Sequence, residues 1–96
     1  MSSKIRYTKT TLEKIESLLA EAGYNIRYEK GNFQSGSCVL ESRKMIIINR
    51  FYETEGRVIA FLDILQQLII DIDSLSEVSQ SFYHQLKLEA EKEEMV

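Results

Sequence analysis

The stretch Val58 to Ile72, VIAFLDILQQLIIDI, constrains the chain more than any other: eleven of its fifteen residues are apolar, and only Asp63, Gln66, Gln67 and Asp71 interrupt. At about 100° per residue, Val58, Phe61, Leu62, Ile64, Leu65, Leu68, Ile69 and Ile72 fall on one arc of about 160°, the pattern of a helix buried along one side. Ile59 and Ile70 fall outside that arc, among the polar positions. The run therefore predicts a central core helix, entered from Thr54 as N-cap, with a second apolar patch left over. It is too short and too interrupted for a bilayer span, which needs roughly 20 apolar residues.

A chain of 96 residues encloses one core and no second domain, because at this size only roughly 60 to 65% of the unfolded surface is buried. The 44% hydrophobic content against 28% charged residues is that of a globular chain and not of a disordered one. The single cysteine, Cys38, excludes an internal disulfide, and the opening MSSKIRYTK has no apolar run of signal-peptide length, so the expected compartment is the cytoplasm. Charge is unevenly spread. Residues 1–50 carry nine Lys or Arg against five Glu, a balance of plus 4, and residues 51–96 carry three against ten Asp or Glu, a balance of minus 7. Lys4, Arg6, Lys9, Arg27, Lys30, Arg43 and Lys44 would offer a polyanion only a modest basic patch, short of the pI above about 9 of a dedicated nucleic-acid binder.

Before the central run, Thr10 with Glu13 reads as a capping box, opening a helix to about Ala22 whose apolar face is Leu12, Ile15, Leu18, Leu19 and Ala22. Gly23 then supplies the left-handed residue that ends it and places Tyr24 against the last turn near Leu19. Tyr24, Ile26 and Tyr28 alternate with Asn25, Arg27 and Glu29, the period of a half-buried strand. Lys30 to Gly36 reads as a loop. Ser37–Glu41 and Lys44–Asn49 read as two further strands about a hairpin turn at Glu41–Lys44. Connections this short favour antiparallel neighbours, hence a meander. The unbroken Met45–Ile48 run suits a central strand covered on both faces, or one whose second face meets a partner. After the central helix, Ser74 with Glu77 repeats the capping signature, and a last helix runs to about Glu91 with a stripe of Leu75, Val78, Phe82 and Leu86, flanked by Tyr83 and Ala90. The expected fold is α+β: helix, three-stranded antiparallel meander, two helices (αβββαα), with the helices mainly on one face of the sheet. Residues 1–9 and 92–96 are expected to be a loosely held leader and tail of this single domain.

Residues that could carry chemistry are few. His84, the one histidine, falls off the apolar stripe of the last helix and reads as solvated; with Cys38 it gives no zinc-ligand spacing, and mid-strand Cys38 reads as a small apolar residue rather than a nucleophile. Asp63 and Asp71, two turns apart on the expected central helix, read as polar relief rather than an acid–base pair. Gly31, Asn32 and Gly36 lack the GK[ST] of a phosphate loop. Tyr24, Tyr28, Phe33, Phe51 and Tyr52 read as core and rim aromatics rather than a stacking surface for single strands.

The succession GYNIRYEKGNF, GSCVLESRKMIIINR and RVIAFLDILQQL resembles small bacterial proteins of unknown function and, in layout, the start of ImmA/IrrE-type metallopeptidase domains, in which an apolar strand ending in Asn leads to a zinc helix. That family carries HExxH on the helix. Leu62, Asp63 and Gln66 stand at the corresponding positions here, so the resemblance, over about residues 24–70, implies a relative without metal ligands or catalysis. No enzyme activity, cofactor or metal site is therefore expected. The expected role is a non-enzymatic interaction or assembly domain, a homodimer or a partner to another protein, with Ile59, Ile70, Met45 and Ile47 as the candidate interface. The alternatives are a small-ligand or regulatory module with a pocket between sheet and central helix, and nucleic-acid binding through the basic N-terminal half.

Overall fold

Helix α1 spans Lys9–Glu21 and begins where the Thr8 hydroxyl accepts a hydrogen bond from the Thr11 amide at 3.3 Å. The cap is thus two residues upstream of the expected Thr10, which lies inside the first turn. The computed structural model describes residues 5–30, 37–40 and 43–94. The helix closes as the sequence predicts: Gly23 takes φ +91°, its amide donates to the Ala20 carbonyl, and the Tyr24 amide reaches the Leu19 carbonyl at 2.9 Å. These are the two bonds of a Schellman ending, and Leu19 and Tyr24 are both buried. Upstream, Ile5 belongs to the core and the Tyr7 hydroxyl donates to Glu89 at 3.0 Å.

Strands β1 (Asn25–Glu29), β2 (Ser37–Leu40) and β3 (Met45–Asn49) form one sheet in the order β1-β3-β2. The expected antiparallel meander is incorrect. β1 pairs with β3 in parallel, Ile26 beside Ile46 and Tyr28 beside Ile48, while β2 pairs antiparallel with β3, Cys38 beside Ile47. Short connections do forbid parallel pairing of consecutive strands, but two successive reversals bring β3 back parallel to β1. The middle place goes to the most apolar strand, which gains most from two neighbours. Most of the expected loop at Lys30–Gly36 and half of the turn at Glu41–Lys44 lie outside the described residues.

Helix α2, Thr54–Leu65, follows a cap at Glu53 whose side chain makes no capping bond, so Thr54 is the first helical residue and not the N-cap. Its entry is held instead by Arg57, which donates to the carbonyls of Tyr52 and Arg50, both at 2.9 Å. The apolar run does not stay helical to Ile72. The Gln66 and Gln67 amides tighten onto the Asp63 and Ile64 carbonyls, Lys87 Nζ donates to the Leu65 carbonyl at 3.4 Å, and the chain then extends. Beyond Gln67 burial alternates: Leu68 in, Ile69 out, Ile70 in, Asp71 out. That is a period of two, which places Ile70 in the core at 9% exposure and Ile69 in solvent at 89%, the reverse of the helical arc.

A short 3-10 turn, Ile72–Ser74, leads into α3, Glu77–Glu94, which starts two residues later than expected and ends three residues later. Its first free amides are capped by Ser76 and not by Ser74, the Ser76 hydroxyl accepting from the Ser79 amide at 3.2 Å. The buried residues along this segment are Leu75, Tyr83, Leu86 and Ala90, whereas Val78 is 81% exposed and Phe82 is half-buried. Leu75 and Leu86 of the stripe read in the sequence are thus buried, while the flanking Tyr83 and Ala90 take the core places expected of Val78 and Phe82. α1 packs on β1, α2 on β2, and α2 touches both α1 and α3. Phe61, Ile15, Leu18, Leu19, Ile46, Ile48, Leu62, Leu65 and Leu86 fill the resulting core, with α2 at its middle.

Candidate interaction surface

The central strand divides its side chains between two environments. Ile46 and Ile48 are fully buried on the helix side, while Met45, Ile47 and Asn49, which alternate with them, are half-buried. The outward positions of β1 beside these residues are polar: Asn25 and Arg27 are exposed, and Arg27 Nε pairs with Glu29 Oε2 at 2.8 Å. Two of the four predicted interface residues, Met45 and Ile47, thus lie together as a short apolar strip on the sheet side that the core does not use.

The other two do not join them. Ile70 is a core residue. Ile59 is 45% exposed on α2, between exposed Glu55 and Asp63 one turn to either side, a lone apolar group rather than a patch. Sequence reasoning missed Ile69, Val78, Phe51 and Leu88, all well exposed. The first two are readable only after the end of α2 and the true phase of α3 are known.

The edge of the sheet is a further feature. The Asn25 amide donates to the Lys44 carbonyl at 2.8 Å and the Arg50 amide to the Glu29 carbonyl at 3.0 Å. In a parallel ladder with this register, residues 25, 27 and 29 direct both main-chain groups to β3. Ile26 and Tyr28 therefore direct theirs to the open side, where β1 has no strand partner among the described residues. Their side chains face the core yet remain half-buried, in contrast to the full burial of their β3 neighbours.

Tyr28 is held from two sides. Its hydroxyl donates to the Glu16 carboxylate on α1, and the Arg57 guanidinium stands 4.5 Å from the ring centre. Burial, then the bond to Glu16 and its charge, push the phenol well above its ordinary value of 10.0. The cluster joins α1, β1 and α2.

A second cluster joins α1 to α3. One oxygen of the Glu21 carboxylate accepts from the Ser76 amide and the other from the Ser79 hydroxyl, each at 2.8 Å. In an ordinary capping box a Glu at the third helical position returns to the cap amide. Here that position is Ser79, and the carboxylate is supplied by the end of another helix. The Ser76 amide first, and the Ser79 hydroxyl second, lower the Glu21 pKa from its ordinary 4.5. Beside this cluster a groove of about 350 Å³ runs between α1 and α3, lined by Thr10, Lys14, Ser17, Val78 and Phe82 among others, with Lys14 Nζ 5.8 Å from the Phe82 ring centre.

His84 is exposed on α3 beside the Tyr83 ring, and Cys38 lies in β2. Asp63 and Asp71 do not share a helix: Asp63 is exposed on α2, and Asp71 caps the 3-10 turn by accepting from the Asp73 amide at 3.1 Å. Of the five aromatics weighed as a stacking surface, Tyr24 is in the core, Tyr28 is bound to Glu16, Tyr52 is half-buried, Phe51 is 65% exposed, and Phe33 lies outside the described residues. Leu62, at an HExxH ligand position of the resemblance, is buried, and Gln66 Nε2 is buried without a partner among the described residues. No three His, Cys, Asp or Glu side chains gather as a metal site among the described residues, and none of the described helices is long and apolar enough to cross a membrane. Compared with protein-family models, curated proteins and solved structures, the chain matches none.

Proposed function

We propose that the protein is a non-enzymatic assembly domain that associates with a second copy of itself through the sheet. The observation that carries this reading is the half-buried Met45 and Ile47 at the centre of a sheet whose other side, at Ile46 and Ile48, is fully buried. Burial of so short a strip gives a contact at the small end of specific interfaces, below about 1,200 Å² in total. Association is then weak and concentration-dependent. Sedimentation of the purified chain from micromolar to millimolar concentration tests it: a mass rising from monomer towards dimer is expected, and a monomer throughout sinks the proposal.

A second reading is favoured by the groove between α1 and α3, whose lining of apolar Val78 and Phe82 with polar Lys14, Thr10 and Ser17 would suit a small amphipathic ligand. Its site lies between two helices and not, as the sequence suggested, between sheet and central helix.

A further inference from the structure

We infer that the second copy docks edge to edge along β1, antiparallel, with Tyr28 on the two-fold axis. The inference rests on self-association and names the surface that carries it.

The main-chain geometry comes first. Ile26 and Tyr28 direct their N–H and C=O groups to the open side of β1, where no described strand pairs with them, as the parallel register with β3 requires. An exposed row of such groups is a template for another strand. An isologous pairing of a strand with itself must be antiparallel and must place a two-fold axis at one point of the strand. Only Ile26 and Tyr28 have outward main-chain groups within β1, so the two directly bonded self-pairs are Ile26 with Ile26 and Tyr28 with Tyr28.

The side chains choose between these and the slipped registers. With the axis at Tyr28, Arg27 of one copy stands opposite Glu29 of the other, and Glu29 opposite Arg27. Both pairs occupy non-hydrogen-bonded positions, where cross-strand side chains approach closest. The Arg27–Glu29 pair already present within each strand at 2.8 Å is thereby extended into a four-charge ladder. Moving the axis by one residue sets Arg27 against Arg27, which repels; moving it to Ile26 sets Arg27 against Asn25 and Glu29 beyond the strand, which forfeits both pairs. The strand is thus complementary in charge to its own reverse in one register. Half-buried Ile26 and Tyr28 gain cover from the neighbouring copy, and the two sheets become one sheet of six strands.

Charge reversal tests this without disturbing the core, because Arg27 and Glu29 are exposed on 59% and 40% of their side-chain surface. Arg27→Glu and Glu29→Arg each place like charges opposite one another at both pairs, and each is expected to weaken self-association by more than about tenfold at low salt. The double variant, Arg27→Glu with Glu29→Arg, restores opposite charges in the same register and is expected to return association to that of the natural chain. An equal mixture of the two single variants is expected to form a heterodimer, since one copy then carries two acids and the other two arginines. Circular dichroism of each variant checks that the fold is kept. If the natural chain dimerises and the single variants do so equally well, the edge inference is overturned; loss of dimer in Ile47→Glu alone would then move the contact to the sheet face and leave self-association standing. A natural chain that is monomeric at every concentration overturns both, and makes Arg27 and Glu29 guards against strand addition.

Discussion

At the scale of single residues, Glu21 is the side chain whose position is least expected. A carboxylate at the C-terminal end of a helix opposes that helix's dipole, yet Glu21 sits there because its charge serves the N-terminal end of α3. Its amide and hydroxyl donors, from Ser76 and Ser79, hold the folded pKa below the unfolded value near 4.5. The sign follows directly: the folded state binds the proton less readily, so the stabilisation is complete above the unfolded pKa and is lost as pH falls from there through the lower folded pKa. Glu21→Gln is therefore expected to lower the melting temperature at pH 7 and to make a shrinking difference below about pH 4. Thermal melts of both chains across that range check it; a difference that stays constant down to pH 3 would show that the carboxylate charge is not the source. Neither Glu21 nor its role was legible in the sequence. Ser74, Ser76, Glu77 and Ser79 offer overlapping local capping patterns, and the choice among them is made by a group 55 residues away from Ser76.

At the scale of elements, what could be read in the chain was what neighbouring residues decide among themselves. The Gly23 ending and the strand read over Tyr24–Glu29 both rest on local geometry; the first appears as read and the second begins one residue later, at Asn25. The end of α2 does not, because Leu68, Ile70 and Ile72 satisfy a period of two while Leu68, Ile69 and Ile72 satisfy one of 3.6, and Gln66 and Gln67 carry no helix-breaking chemistry. The two periods make opposite statements about adjacent isoleucines, which gives a test. Ile70→Ala is expected to cost about 2–4 kcal/mol in chemical denaturation, as buried large-to-small changes do. Ile69→Ala, at 89% exposure, is expected to stay within about 0.5 kcal/mol of the natural chain. The reverse ranking would mean that the helix continues to Ile72. Of the candidate interface, Met45 and Ile47 follow from their strand's alternation, whereas the open edge at Ile26 and Tyr28 becomes visible only once β3 is known to lie between β1 and β2.

At the scale of the whole molecule, association through charged edge pairs and association through apolar surface respond differently to salt. Exposed Arg–Glu pairs are screened over about 8 to 10 Å at physiological ionic strength, and over less as salt is added. Raising NaCl from about 0.02 M to about 0.5 M is thus expected to lower the dimer fraction of the natural chain while leaving its melting temperature as a monomer nearly unchanged; light scattering at fixed protein concentration reads the first and calorimetry at high dilution the second. A dimer fraction indifferent to salt would point to Met45 and Ile47 instead. The strand order also governs when the fold can begin. β1 and β2 both pair with β3 and not with one another, so on a growing polypeptide the first two strands have no sheet to enter until Met45–Asn49 has been synthesised and has left the ribosome. More than half of the chain must therefore exist before its first interstrand ladder closes.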